Sequence, residues 1–189
     1  MDIILASGSP RRKELMELAG YRFSVEVSDA DEAVNETEPG RMVEELALRK
    51  AAAVAGLHNK KEENVLVIGA DTVVILEGRV LGKPEDEAHA ASMLRDLSGR
   101  VHQVYTGVAL LEVKEGRIVK TNRFHECTGV RMREITDEEI EAYIRTGEPM
   151  DKAGAYGIQG RAAIFVSGIE GDYYNVVGLP VCRLTTILK

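Results

Sequence analysis

Ser7-Gly8-Ser9-Pro10-Arg11-Arg12 places two hydroxyls, a glycine and two guanidinium groups directly after the apolar run Ile3-Ile4-Leu5-Ala6. Where a strand ends and a helix begins, such residues suit an anion, phosphate above all. Backbone N–H groups and the helix dipole attract negative charge there, and arginine donates to phosphate oxygens in pairs. Ser7, Ser9, Arg11 and Arg12 are therefore candidate phosphate ligands. An ordinary capped helix with solvated arginines has the same composition, and the segment carries neither the G-x-x-x-x-G-K-[ST] nor the G-x-G-x-x-G pattern.

Asp71 follows the apolar run Val65-Leu66-Val67-Ile68-Gly69-Ala70, at the end of what reads as a central strand. Ligands of open α/β sheets bind at such ends, and a carboxylate in apolar surroundings needs a partner or a metal. An aspartate bonded to a local turn is the alternative. Asp31 and Glu32, in the acidic stretch from Ser28 to Glu38, offer a second carboxylate or plain surface charge. Lys83 precedes Pro84, which stiffens the chain, so its ammonium is either held in place or simply solvated. The run Asp151-Lys152-Ala153-Gly154-Ala155-Tyr156-Gly157-Ile158-Gln159-Gly160 has neither helical nor strand period. Its glycines suit positive φ angles or close approach to the backbone, with a solvated turn as the competing reading.

These residues need elements to hold them. The pattern predicts a strand at Ile3–Ala6, a helix capped by Ser9 with Pro10 in its first turn and Gly20 beyond its end, and a strand around Phe23, Val25 and Val27. A long helix follows Pro39, with Val43, Leu46, Ala47, Lys50 and Val54 at helical spacing. Asp71-Thr72 is expected to interrupt two strand segments, Val65 to Ala70 and Val73 to Leu76. Glu77-Gly78-Arg79 reads as a hairpin turn, Glu85 to Leu97 as a helix, and Val101 to Val113 with Ile118 to Met132 as a second hairpin. Thr136-Asp137-Glu138-Glu139 is a capping box opening a helix that runs to Gly147. A strand at Ala162–Val166, a turn at Gly168–Asp172 and a terminal helix at Pro180–Leu188 complete the order.

A chain of 189 residues with 44% hydrophobic and 29% charged content suits one soluble α/β domain. The net charge of -7 argues against nucleic-acid and membrane surfaces as partners, so an anionic ligand needs a local basic pocket. The N-terminal residues lack the basic start and long apolar segment of a signal peptide, which makes the cytoplasm the expected compartment. Cys127 and Cys182 have no histidine at metal-ligand spacing and read as reduced core thiols.

Taken together, Ser7-Gly8-Ser9-Pro10-Arg11-Arg12, Gly69-Ala70-Asp71-Thr72, Gly82-Lys83-Pro84, Glu148 to Gly160, Asp172-Tyr173-Tyr174 and Gly178-Leu179-Pro180 resemble the Maf family of nucleoside triphosphate pyrophosphatases, once named for septum-formation inhibition. The resemblance spans nearly the whole chain and implies a single Maf-like domain over residues 1–189. It implies an elongated mixed-sheet α/β fold similar to inosine triphosphate pyrophosphatases, with two lobes flanking a central cleft, and a homodimer. It further implies hydrolysis of dTTP and UTP to the monophosphate and pyrophosphate with a divalent metal. By the resemblance Asp71 is the proton acceptor and Glu32 a loop acid tied to metal or water. Ser9, Arg12 and Lys83 match positions that hold the triphosphate, and Arg11, Thr72 and Gln159 match those associated with base preference.

Pyrophosphate release requires attack of water at the α-phosphorus of the nucleoside triphosphate substrate. Arg11, Arg12, Lys83 and a metal would offset the phosphate charge, while Asp71 and Glu32 hold the metal or take the proton from water. Oxygen ligands favour Mg²⁺ or Mn²⁺. A nucleotidyltransferase, or a non-catalytic nucleotide-binding regulator of cell division, are the alternative readings.

Overall fold

The computed structural model describes residues 1–27, 29–30, 33–59 and 64–189. Its strands are β1 (Asp2–Ala6), β2 (Ser24–Val25), β3 (Val65–Leu76), β4 (Arg79–Leu81), β5 (Val101–Lys114), β6 (Arg117–Met132) and β7 (Val166–Glu170). Its helices are α1 (Pro10–Leu18), α2 (Pro39–Leu57), α3 (Glu87–Leu97), α4 (Asp137–Ile144), α5 (Tyr173–Val177) and α6 (Val181–Ile187). The strands form one seven-stranded sheet of order β2-β1-β3-β5-β6-β7, with β4 paired to β3. It is mixed: β1 runs parallel to β2 and β3, whereas β3 with β4 and β6 with β7 are antiparallel. The α/β mixed-sheet class expected from the sequence is the one observed.

The chain divides into two compact units, the first made of Met1–Asp71, Thr106–Glu126 and Gly178–Lys189. Its core sets Ile4, Ala6, Val65, Val67, Ala109 and Leu111 of the sheet against Ala47, Ala51 and Val54 of α2. Small residues on the helix stripe let the two backbones meet. A Cβ on Gly69 would lie 2.3 Å from the Ala47 carbonyl oxygen, and one on Gly107 2.3 Å from that of Val43. Only glycine fits at these two strand positions, and α2 is thereby fixed against β3 and β5.

The second unit comprises Thr72–Tyr105 and Cys127–Val177. Val74, Leu76, Leu94, Leu97, Val130, Met132, Ile140 and Phe165 form the centre of its core. Full burial of each such side chain contributes about 1.5–3 kcal/mol. The capping box at α4 is present in full, with Thr136 accepting from the Glu139 N–H and Glu139 accepting from the Thr136 N–H. Two Glu-Gly turns close the hairpins, Glu77 and Gly78 with φ of 50° and 79°, Glu115 and Gly116 with φ of 50° and 74°. Both central residues are left-handed, which matches the twist of the paired strands.

Five expectations need correction. β3 runs through Asp71-Thr72 without a break, because the Asp71 charge has a partner described below. Ala162–Val166 is not a strand: Arg161–Phe165 is a 3₁₀ turn, whose period of three puts Ala162 and Phe165 on one buried side. The strand instead begins at Val166 and extends to Glu170, through most of the predicted turn, and α5 follows it unanticipated. The strand near Phe23 is reduced to Ser24–Val25. Cys127 and Cys182 are free thiols but exposed rather than in the core. Among the described residues no helix is long and apolar enough to cross a membrane.

Candidate active site

β1 delivers the chain to the Ser7–Arg12 loop, and its parallel register with β3 pairs Ala6 with Gly69. Ser7 therefore leaves the sheet beside the carboxyl end of the apolar half of β3, two residues before Asp71. Ser7 is buried, and its hydroxyl oxygen accepts from the Ser9 N–H at 3.3 Å and from Arg12 Nη1 at 3.1 Å. Arg12 Nε donates to the Gly178 carbonyl at 2.8 Å. Ser7 and Arg12 thus shape the loop from within and tie it to the segment that precedes α6. Pro10 opens α1, and Ser9 occupies the capping position without a side-chain capping bond, so the expected cap is geometric only. Arg11 is half-buried at the start of the same helix.

Asp71 is half-buried, and its Oδ1 accepts from Lys50 Nζ at 2.5 Å. The two side chains are only 14% and 21% exposed, so this is an ion pair largely withdrawn from water. Lys50 was legible only as one position of the α2 stripe, between Ala47 and Ala51. A lysine on an apolar helix face and an aspartate in an apolar strand are each anomalous alone, and together they account for each other. That coincidence is the signal by which Lys50 could have been found. Among the described residues no second hydrogen bond reaches the Asp71 carboxylate, which leaves Oδ2 for other work.

Glu32 lies outside the described residues. Thr72, the next residue of β3 after Asp71, is half-buried.

In the second unit, Lys83 and Gln159 sit on loops that are tied together: the Gly154 N–H donates to the Gly82 carbonyl at 3.0 Å. Lys83 is exposed. Gln159 is exposed at a turn closed by the Gly160 N–H on the Gly157 carbonyl at 3.1 Å. The segment around it is wired by side chains. Glu148 accepts from the Tyr143 hydroxyl at 3.1 Å and from the Arg161 N–H at 3.1 Å. Lys152 Nζ donates to the Glu148 carbonyl at 2.8 Å and to Asp151 Oδ1 at 2.6 Å. Gly157 lies against the Lys152 stem and Gly160 against the Glu148 carboxylate, where an added Cβ would sit 2.6 Å and 1.9 Å from the nearest atoms. Asp151, Lys152 and Tyr156 fix the shape of the segment, and only Gln159 presents an unspent amide. Glu148 and His102, the latter described below, are supports that the sequence did not single out.

As to a divalent cation, a Mg²⁺-type ion commonly takes one or two carboxylates and completes its shell with water and phosphate oxygens. Asp71 Oδ2 is a donor of that kind. No group of three or more His, Cys, Asp or Glu side chains able to hold a metal occurs among the described residues. The Asp71 carboxylate is thus compatible with a cation of this kind.

Residues 2–189 match the family model described as Maf-like protein. A protein of Bacillus cytotoxicus named dTTP/UTP pyrophosphatase is 56% identical over 187 residues, covering 98% of this chain and 93% of its own. One of Alkaliphilus metalliredigens with the same name is 53% identical over 187 residues, covering 98% and 94%. Among solved structures, the Staphylococcus aureus Ham1 protein aligns with a TM-score of 0.45 at 16% identity, over 70% of this chain and 72% of that one.

Proposed function

The chain belongs to the Maf-like protein family, and from that membership we propose that it is a nucleoside triphosphate pyrophosphatase that hydrolyses dTTP and UTP to the monophosphate and pyrophosphate. The observation that carries the proposal is the Lys50–Asp71 pair beside the Ser7–Arg12 loop: a carboxylate kept in place where a core strand would otherwise exclude charge.

With Oδ1 held by Lys50, Asp71 uses Oδ2 to take the proton of the attacking water or to hold the metal that activates it. Ser9, Arg11, Arg12 and Lys83 bind the phosphates, aided by the N-terminal N–H groups of α1. Gln159 carries both a donor and an acceptor, and its amide matches the O4 and N3–H edge that thymine and uracil share. Arg11 and Thr72 complete the base preference. Mg²⁺ or Mn²⁺ would be held by Asp71 and Glu32. When bound, such an ion neutralises phosphate charge and makes a coordinated water more acidic. The same reading gives a cytoplasmic homodimer acting on free nucleotides.

A nucleotide panel with Mg²⁺ or Mn²⁺ in ¹⁸O-labelled water tests the proposal. Turnover of dTTP and UTP with label in the monophosphate is expected. Label in pyrophosphate, or no turnover of either nucleotide, would reject it. Pyrophosphate release without any acceptor substrate separates hydrolysis from nucleotidyl transfer.

A further inference from the structure

We propose that the buried His102–Tyr156 pair is a positioning device for Gln159, and so sets how sharply the enzyme distinguishes uracil and thymine from other bases. The inference rests on Gln159 being the base reader.

His102 on β5 is 1% exposed and Tyr156 5% exposed. His102 Nε2 and the Tyr156 hydroxyl lie 2.6 Å apart, with the rings edge to face at 84° and centroids 5.3 Å apart. Burial pushes His102 down to about 4 from an ordinary 6.5, so the ring is neutral at physiological pH and acts as a hydrogen-bonding partner, not a charge. A core that needed only volume here would use two apolar rings, since burying a hydroxyl and an imidazole is unfavourable unless they are paired. What the pair adds is direction.

Tyr156 stands at a point where direction matters. The two residues before it, Gly154 and Ala155, have φ of 69° and 61°. Left-handed backbone at Ala155 is unfavourable for a side-chain-bearing residue and persists only where the surroundings dictate it. At Tyr156 the chain returns to extended geometry, with φ -147° and ψ 157°. Three residues later Gln159 stands at the Gly157–Gly160 turn. The bond from Tyr156 to β5 thus anchors one end of that turn to the sheet. At its other end Glu148 accepts from the Arg161 N–H. Loss of the Tyr156 anchor leaves His102 Nε2 buried without a partner and frees the turn to shift, while the Ser7–Arg12 loop keeps the supports that β1 and α1 give it.

The experiment compares kcat and KM for UTP and for CTP or GTP in the wild type, Tyr156→Phe, His102→Leu and Gln159→Ala. The expected result for Tyr156→Phe and His102→Leu is a fall of about fivefold or more in the preference for UTP, carried by KM, with kcat within about twofold. Gln159→Ala should lower the preference at least as far. An unchanged preference in Gln159→Ala rejects the base-reading assignment itself. A changed preference in Gln159→Ala with an unchanged one in folded Tyr156→Phe and His102→Leu overturns the positioning role alone. Failure of both anchor variants to fold would make the pair a determinant of core stability instead, and overturns it equally.

Discussion

The Ser7–Arg12 loop and the 147–161 segment both present polar groups from glycine-containing backbone, yet they are held by opposite means. The first takes its place from topology: a parallel register that sets Ala6 against Gly69, and a helix that begins at Pro10. The second has no strand or α-helix of its own and is held by Glu148, Lys152 and Tyr156. A loop placed by backbone pairing tolerates changes of side chain until they touch chemistry. A loop placed by side chains loses its geometry with any one of them.

The sharpest test of the contrast is Asp71→Asn, which alters chemistry beside the first loop without disturbing the register. Turnover should fall by about 10² or more, as for loss of a general base, with the fold retained but thermal stability lowered, because the largely buried Lys50–Asp71 ion pair is broken. Near-normal kcat in that variant would break the assignment.

The next effect belongs to the second region and is read by pH. The unfolded chain takes up a proton on His102 below its ordinary 6.5, and the folded chain only near about 4. Stability from this group is therefore complete above 6.5 and is lost as pH falls toward 4, with about 2 kcal/mol gone at pH 5. Denaturant titrations at pH 7 and pH 5 should show this loss in the wild type. It should be absent from the difference between the two pH values in His102→Leu.

Gly160→Ala and Gly8→Ala compare the two loops directly. The new Cβ at 160 drives into a carboxylate held by two hydrogen bonds, whereas at 8, among the described residues, it meets only Val27 Cγ2 at 3.5 Å, an ordinary contact. Gly160→Ala should lower stability by about 1–3 kcal/mol, and Gly8→Ala by under about 0.5 kcal/mol, measured by chemical denaturation. Equal losses would erase the distinction. Lys50→Met breaks the ion pair that orients Asp71. kcat should drop about tenfold with KM within about twofold, and a change confined to KM would make Lys50 a phosphate ligand instead.

The two loops also differed in how far they could be read from the sequence. Strand, glycine, proline and arginine in the first follow local rules, and its flanking elements appear where the pattern predicts them. The second could be recognised as non-repetitive, with Asp151, Lys152 and Tyr156 as residues that lock its shape, but what they bind could not be read, because part of the support comes from residues remote in sequence. His102 lies 54 positions before Tyr156, and Val74, which packs against Gly154, sits on another strand. Lys50 and Asp71, 21 positions apart, were each visible as a charge in apolar company, but only packing of α2 on β3 joins them. The misread strand at Ala162 has the same origin: Ala162 and Phe165 suit a strand or a 3₁₀ turn, and burial of both on one side decides for the turn.

The two Glu-Gly hairpins carry a practical consequence. They look interchangeable in sequence and share left-handed geometry, but their surroundings differ. A Cβ on Gly116 would meet the Asn59 carbonyl oxygen at 2.3 Å, whereas one on Gly78 would have nothing within 4 Å among the described residues. A reporter domain, an affinity tag or a new pair of chain ends grafted into this protein belongs at Glu77-Gly78, where the β3–β4 turn is exposed. The same graft at Glu115-Gly116 would pry the turn away from the end of α2.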